Sequence, residues 1–453
     1  MKSTRRLIPV LIIVFGISIL LYGCANKPAK EAGVVHPEWS KDANIYEVNI
    51  RQYTEEGTFK AFQEHLPRLQ EMGVEILWLM PIHPIGEKNR KGGLGSYYSV
   101  KDYKAVNPNF GTMGDFKALV DEAHERGMKV ILDWVANHTA WDHHWTSEHP
   151  DWYTKDENGN FKPPVADWSD VIELDFSNEA MRDAMVEAMK FWVAEAGVDG
   201  YRCDVAAAVP AKFWARVTKE LNEIKPVFML AEANVPEHHD QAFDMSYAWD
   251  FHFLINEVAA GDTSLQAITR QMKIEQKKFD ENDYRMMFTS NHDENSWKGT
   301  VYERMGENAK VAAVLAATIQ GMPLIYSGQE AGLDKRLEFF EKDVISWDKL
   351  PLEDFYTTLL HLKKENEALW NGKFGGDFVK VETEKPESIY AYRRVKDDDE
   401  VLVVLNFSDE NHEVALKGMT SPKTYTNAFT GEEVTVNNQP ISVDAHGYLV
   451  LEK

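Results

Sequence analysis

From residue 44 to about residue 330 the chain alternates two hydrophobic periods. Short apolar or β-branched runs at 45–53, 75–80, 129–135, 200–205, 227–231, 243–249, 286–290 and 323–326 have the length of buried strands, the sixth being the weakest. Between them, the segments 59–72, 115–126, 179–196, 211–224 and 309–320 repeat apolar residues every three or four positions, as amphipathic helices do. Each is long enough to carry the chain back between parallel strands. Right-handed βα crossovers repeated in this way predict a parallel sheet, and eight of them close it into a (β/α)8 TIM barrel. An open doubly wound sheet is the competing arrangement.

Two stretches depart from that rhythm. Residues 139–177 are rich in Trp, His, Asp and Pro without helical period, including Trp141, Trp145, Trp152, Tyr153 and Trp168. A long irregular loop after a third strand is uncommon unless it has a job, and it lies at the end of the barrel where active sites are built. Each of these rings could equally stack on the flat face of a bound ligand or pack the loop on the barrel. After a last helix over 353–367 the period changes to two, with strands predicted at 379–383, 388–394, 401–407, 413–416 and 448–451 and turns rich in Asp, Asn and Gly. That predicts an antiparallel β-sandwich. The expected domains are therefore a catalytic barrel over 39–370, with the short loop domain 139–177 inserted, and a sandwich over 371–453.

At 453 residues, 44% hydrophobic and 27% charged, the chain is long enough for such a barrel and falls in the globular range. Its start reads differently. A basic flank, Met1 to Arg6, precedes an uncharged and mostly apolar run from Leu7 to Leu21, shorter than the ~20 residues of a spanning helix. Leu21-Tyr22-Gly23-Cys24 resembles a bacterial lipoprotein processing site, which implies a signal peptide over 1–23, lipidation of Cys24 and a tether over 24–38. The expected location is exported and lipid-anchored to a bacterial membrane; which membrane, which face and the oligomeric state stay open. With Cys24 lipidated, the other cysteine, Cys203, has no partner in the chain and reads as a small core residue. A net charge of −24 excludes the basic footprint of a nucleic-acid partner.

Candidate chemistry collects at four strand ends: Asp133 to His138, Gly200 to Asp204, Ala231 to Asn234, and Asn291 to Glu294. A strand-end Asp or Asn taken singly can be a helix cap; four polar ends in one barrel ring a common mouth. Carboxylates converging there cannot all ionise without mutual penalty, so their pKa values split, which suits acid/base work. Retaining glycoside hydrolysis uses one carboxylate to attack the anomeric carbon and a second, protonated, to serve the leaving oxygen. Arg202 and Asp204 are two apart on a strand and face the same side, so the guanidinium can hold that carboxylate ionised. Glu232 has longer reach and no adjacent cation in sequence, which favours the acid role.

On those four regions, which match in order and spacing, the chain from about Trp39 to Glu330 resembles the α-amylase family, glycoside hydrolase family 13. The resemblance implies Asp204 as nucleophile, Glu232 as general acid/base and Asp293 as the residue gripping the sugar hydroxyls. It implies that His138, Arg202 and His292 complete the subsite of the reacting glucose and that Tyr98 stacks on it. The expected substrates are starch or maltodextrin-type α-glucans cut at α-1,4 bonds. An exo-acting α-glucosidase, a maltodextrinase and an α-glucan transglycosylase share the set, and a non-catalytic sugar-binding lipoprotein is the reading from another class. Two departures matter: Ala206-Ala207-Ala208 replaces the family's lysine-histidine pair, and Ile172-Glu173-Leu174-Asp175 replaces its Pro-Asp-Leu-Asp. Asn137 matches a calcium-ligating position, with Asp167 or Asp175 as further donors, but no set of six to eight oxygens is identifiable, so bound calcium stays open. No organic cofactor is expected.

Overall fold

The computed structural model describes residues 33–419, 421–437 and 439–453. The signal peptide, Cys24 and the first part of the tether fall outside the described residues.

Eight parallel strands close a barrel in chain order: β1 (Ile45–Val48), β2 (Ile76–Leu79), β3 (Lys129–Trp134), β4 (Gly200–Cys203), β5 (Phe228–Ala231), β6 (Met245–Tyr247), β7 (Tyr284–Phe288) and β8 (Met322–Tyr326). The closing pair sets Ile45 opposite Leu324, and Ile45 also faces Ile76. Strand alternation sorts the side chains. Ile45, Ile76, Trp78, Ile131, Phe228, Met245, Met286 and Leu324 fill the barrel, while Tyr46, Leu77, Leu79, Val130 and Leu132 meet the helices outside.

Where the elements differ from expectation, local chemistry accounts for it. The first strand stops at Val48, because Asn49 accepts a hydrogen bond from the Arg51 amide and caps a helical turn, Ile50–Tyr53. The predicted helix over 59–72 is two, Phe59–Gln63 and Leu66–Met72, since Pro67 has no amide hydrogen and fits only a first turn. The weak sixth strand is only three residues long and is followed by two helices, Trp249–Ala260 and Gln266–Lys278. The loop after β3 forms a small hairpin, His138–Ala140 against Val171–Glu173. Its Trp145, Trp152 and Tyr153 are buried, so these rings pack the loop on the barrel.

The C-terminal module has β9 (Asp377–Val381), β10 (Ile389–Lys396), β11 (Asp399–Asn406), β12 (His412–Val414), β13 (Lys423–Asn427), β14 (Glu433–Val436), β15 (Ile441–Val443) and β16 (Tyr448–Glu452). Six form one antiparallel sheet, β9-β10-β11-β16-β13-β14, and β12 pairs with β15 as a ribbon. Val414 and Val443 of the ribbon share a core with Leu402, Val404 and Tyr425 of the sheet. The sandwich is therefore lopsided, and three of its strands (β13, β14 and β15) escaped the sequence pattern because their exposed faces carry Thr, Glu and Ser. Arg394 and Tyr392 of β10 dock the module on the barrel at Thr318, through its carbonyl (3.3 Å) and hydroxyl (2.5 Å).

Residues 34–38, expected in the tether, lie against the N-terminal end of the barrel instead. His36 meets Asp244 Oδ1 at 2.7 Å and the Asn282 carbonyl at 2.8 Å and stacks on Tyr284. Cys203 is buried within β4, as expected for a core residue.

Gly200, which opens β4, has a φ of 150°, and a Cβ there would sit 1.8 Å from the Phe228 carbonyl oxygen of β5. Neither the backbone angle nor the space admits a side chain. Gly200→Ala is expected to cost more than ~3 kcal/mol of unfolding free energy, read by chemical denaturation, because it separates two barrel strands at the base of the site. Parental stability in that variant would contradict this packing.

Candidate active site

The barrel's polarity builds the site. Each functional side chain stands at or just beyond the C-terminal end of its strand, so the ends of β3, β4, β5 and β7 converge where no ladder continues. Tyr98, His138, Asp204, Glu232, His292 and Asp293 line one cleft of about 390 Å³, with Arg202 beneath them. All the residues expected to bind or cleave sugar are thus brought together.

Arg202 is fully buried and touches three carboxylates. Its Nη1 donates to Asp133 Oδ1 and to Asp204 Oδ1, each at 2.9 Å, and its Nη2 lies 3.0 Å from Glu232 Oε2. Its Nε donates to the Tyr247 hydroxyl at 3.2 Å. One guanidinium therefore spans the proposed nucleophile and acid and sets them side by side, on neighbouring strands whose register pairs Cys203 with Ala231.

The turn after β4 finishes the placement of Glu232. Val205 adopts φ 43° and ψ 43°, a left-handed conformation that costs a β-branched residue roughly 1–3 kcal/mol. It aims the Val205 amide at Glu232 Oε2, 2.7 Å away. With Oε2 held by the amide and the guanidinium, Oε1 is left to carry the proton.

A second chain of contacts starts at β1. Glu47 Oε1 lies 2.5 Å from His292 Nδ1, and His292 Nε2 lies 2.8 Å from the Tyr98 hydroxyl, which donates to Asp133 Oδ2 at 3.0 Å. Burial opposes a charge on His292, but Asp293 and then Glu47 outweigh it and raise its pKa to about 9. His292 is therefore cationic at neutral pH and donates from both nitrogens. Burial pushes His138 the other way, down to about 4, so it is neutral.

Burial carries Asp204 well above the usual carboxylate range; Arg202 pulls it down, and Glu232 and Asp133 push it further up. Glu232 is raised as well, by burial first, against the pull of Arg202 and with a push from Asp293. The expectation that Arg202 alone keeps Asp204 ionised is corrected here, since its one charge is shared among three buried acids. A proton shared by the pair, if seated on Glu232, would relieve Asp204 of the largest repulsion acting on it.

The calcium expectation meets an unfavourable donor set. Asn137 is buried with its amide nitrogen 3.4 Å from His138 Nδ1, Asp175 accepts from the Ser177 amide at 2.9 Å, and the Asp167 carbonyl accepts from Lys91. Among the described residues no three His, Cys, Asp or Glu side chains gather as a metal site. These donors do not form the six-to-eight oxygen shell that calcium takes.

Several residues of the site were not singled out from sequence. Glu47 is a charge within the first apolar run, and its burial in a predicted strand was the available signal. Trp297 follows Asp293 by four residues on a π-helical turn, Glu294–Lys298, and is 52% exposed at the cleft rim. It packs on Phe339 and Phe340 of the loop after β8, and no pattern marked that loop. Of the loop aromatics named from sequence, Trp168 lines the cleft, edge-on to His138.

A family model described as the α-amylase catalytic domain matches residues 34–350, and one described as the C-terminal domain of maltogenic amylase matches residues 378–450. The fold is similar to the crystal structure of a noncanonic maltogenic α-amylase, AmyB, from Thermotoga neapolitana, with a TM-score of 0.84, 32% identity and coverage of 91% of this chain and 99% of that one. It is also similar to an α-amylase from Lactobacillus plantarum, at a TM-score of 0.83, 30% identity and coverage of 92% and 99%. In sequence it is 28% identical to the α-amylase MalA of Haloarcula japonica over 436 residues, which is 90% of this chain but 62% of that longer protein. Since the catalytic model takes in the whole barrel and two relatives of similar length share both modules, the chain belongs to the α-amylase family.

Proposed function

We propose that this protein is a retaining glycoside hydrolase that cuts α-1,4-glucosidic bonds of maltodextrin-type α-glucans, exported and anchored by lipid on Cys24. The observation that carries the chemistry is the single guanidinium of Arg202 against both Asp204 and Glu232 in one cleft. One guanidinium touching both carboxyl groups favours the close spacing of the retaining geometry over the wider gap that admits a water between them. The neighbours named as α-amylases and the maltogenic C-terminal model support the glucan reading.

The geometry translates into two displacements. Asp204 attacks the anomeric carbon while Glu232 gives its proton to the leaving oxygen, so the glycosidic bond breaks as a glycosyl ester forms. Glu232, now a carboxylate, takes a proton from water; the hydroxyl attacks the same carbon and Asp204 departs as carboxylate. The double inversion retains the α configuration. Positive charge developing on the sugar meets Asp204 and Asp293, and cationic His292 with neutral His138 and Tyr98 offers fixed polar groups to the sugar hydroxyls.

The lipid reading rests on Leu21 to Cys24 and on the chain entering the barrel from its base at His36. Labelled palmitate is expected in the wild type and absent in Cys24→Ala; label that survives the substitution overturns it.

Asp204→Asn should lower kcat on maltotriose by ~10³-fold or more. Glu232→Gln should do the same on maltotriose yet keep substantial turnover of maltosyl fluoride to the ester, because fluoride leaves without a proton. Equal loss on both substrates would contradict the acid role. The raised pKa of His292 also has a consequence for stability. A group whose pKa is raised on folding contributes fully below its unfolded value and loses that contribution as pH rises through the folded one. The melting temperature is therefore expected to fall between pH 6.5 and 9, and the fall should be shallower in His292→Gln. An unchanged slope in the variant would contradict the assignment of charge to this ring.

A further inference from the structure

The cleft is walled on one side by a ridge built from three loops. Its middle is the loop after β2. Lys91 of that loop donates to the Asp167 carbonyl and lies 3.5 Å from Asp170 Oδ1, both in the insertion after β3. On its other flank the Gly93 amide donates to Glu341 Oε1 at 2.5 Å and the Leu94 amide to the Phe340 carbonyl at 3.0 Å, both in the loop after β8. A Cβ on Gly92, whose φ is 65°, would lie 2.4 Å from Phe340 Cβ, and one on Gly93 would lie 2.5 Å from Glu341 Oε2. At Gly92 the loops touch too closely for a side chain, and at Gly93 the Glu341 side chain would have to swing away to admit one. Arg51 secures the loop from below, donating to the carbonyls of Gly95 at 3.0 Å and Leu94 at 3.3 Å.

The ridge belongs to the cleft, since Lys91, Asp167, Trp168, Asp170 and Phe340 line it together with Asp204 and Glu232. Its place relative to the reaction follows from its neighbours. Trp168 abuts His138, and Phe340 abuts Phe339, which stacks on Tyr98. On the reading above Tyr98 and His138 flank the sugar that Asp204 attacks, whereas Glu232, which serves the departing chain, takes its contacts from the Val205 amide and from Arg202 rather than from these loops. The ridge therefore stands behind the glycone.

We infer that this ridge ends the cleft on the glycone side, so that the enzyme works from the non-reducing ends of maltooligosaccharides and does not cleave within a long chain. The inference rests on the glucan reading above. An ammonium has three donors; Lys91 uses one on the Asp167 carbonyl and turns one toward Asp170, which leaves one for a terminal sugar hydroxyl. A chain continuing past that point would have to displace a lysine held by a carbonyl and a carboxylate, with loop backbone pressed against loop behind it. Lys91 is thus a specificity-determining residue: it recognises a free end and refuses a continued one.

The test uses maltoheptaose labelled at its reducing end, with the non-reducing glucose either free or closed by a 4,6-benzylidene group. The wild type is expected to cleave the free substrate about a hundredfold faster than the blocked one, because the blocked end has no room at the ridge. The earliest labelled product from the free substrate should be of a single length. Lys91→Ala should raise cleavage of the blocked substrate by about tenfold or more, and Asp170→Asn, which keeps the carbonyl contact, by less. Comparable rates on both substrates in the wild type overturn the inference. Cleavage of neither substrate would overturn the glucan reading instead. A folded Lys91→Ala enzyme that still excludes the blocked substrate overturns the role of the lysine, and if that variant does not fold, the wild-type pair and Asp170→Asn decide.

Discussion

The site depends on one buried cation. Arg202 sits beneath the cleft with no exposure to solvent, and the carboxylates of Asp133, Asp204 and Glu232 are arranged around its edge. Taking such charges out of water is expensive, and the attraction offsets the cost because the geometry is close: Nη1 donates to Asp133 and Asp204, Nε to Tyr247, and Nη2 lies 3.0 Å from Glu232. Withdrawing one member of a buried ion set typically costs ~3–5 kcal/mol, since it leaves an uncompensated charge behind. The same arrangement does chemical work. Burial and mutual repulsion raise Asp204 and Glu232 against the pull of Arg202, which favours keeping a proton within the pair.

What surrounds this cation turns electrostatics into position. The rings of Trp78, Tyr98 and Tyr247 enclose the guanidinium, and Trp78 Nε1 and the Tyr98 hydroxyl both donate to Asp133 Oδ2. Asp293 and Glu47 hold His292 in the cationic state, and Glu47 turns it toward Tyr98. Strand register sets the heights of these groups, while the left-handed turn at Val205 supplies the last adjustment to Glu232. The barrel thus provides rigid placement, and the loops after β2, β3 and β8 provide the shape that meets the sugar chain.

The barrel was legible because eight short apolar runs and the helices between them carry opposite periods that tertiary packing does not disturb. The candidate acids could be picked out because charged residues at Asp204, Glu232 and Asp293 close otherwise apolar or small-residue runs, and the structure brings all three to one cleft. Less could be read where local chemistry overrides the pattern, as at Asn49 and Pro67, which each break an element the periodicity would continue. Short strands such as β14 and β15 were invisible because they bury only one side chain in four and one in three. The cleft wall was invisible for another reason: Lys91, Trp297 and Phe340 come from three separate loops, and nothing in their own neighbourhoods records that the barrel brings them together. Arg202 shows the same limit at the level of charge, since sequence placed it beside Asp204 but could not show that Asp133 and Glu232 also share it.

In the proposed mechanism a carboxylate oxygen of Asp204 bonds to the anomeric carbon, giving a covalent intermediate held over Arg202. This step is tested most directly by treating the full-length protein with a fluorinated glucosyl or maltosyl fluoride that forms the ester quickly and hydrolyses slowly, followed by peptide mass spectrometry. One sugar per chain, attached to the peptide that contains Asp204 and located on that residue by fragmentation, is the result the account predicts. A sugar found on another carboxylate, or rapid turnover of an α-glucan with inversion and no trapped ester, would contradict it.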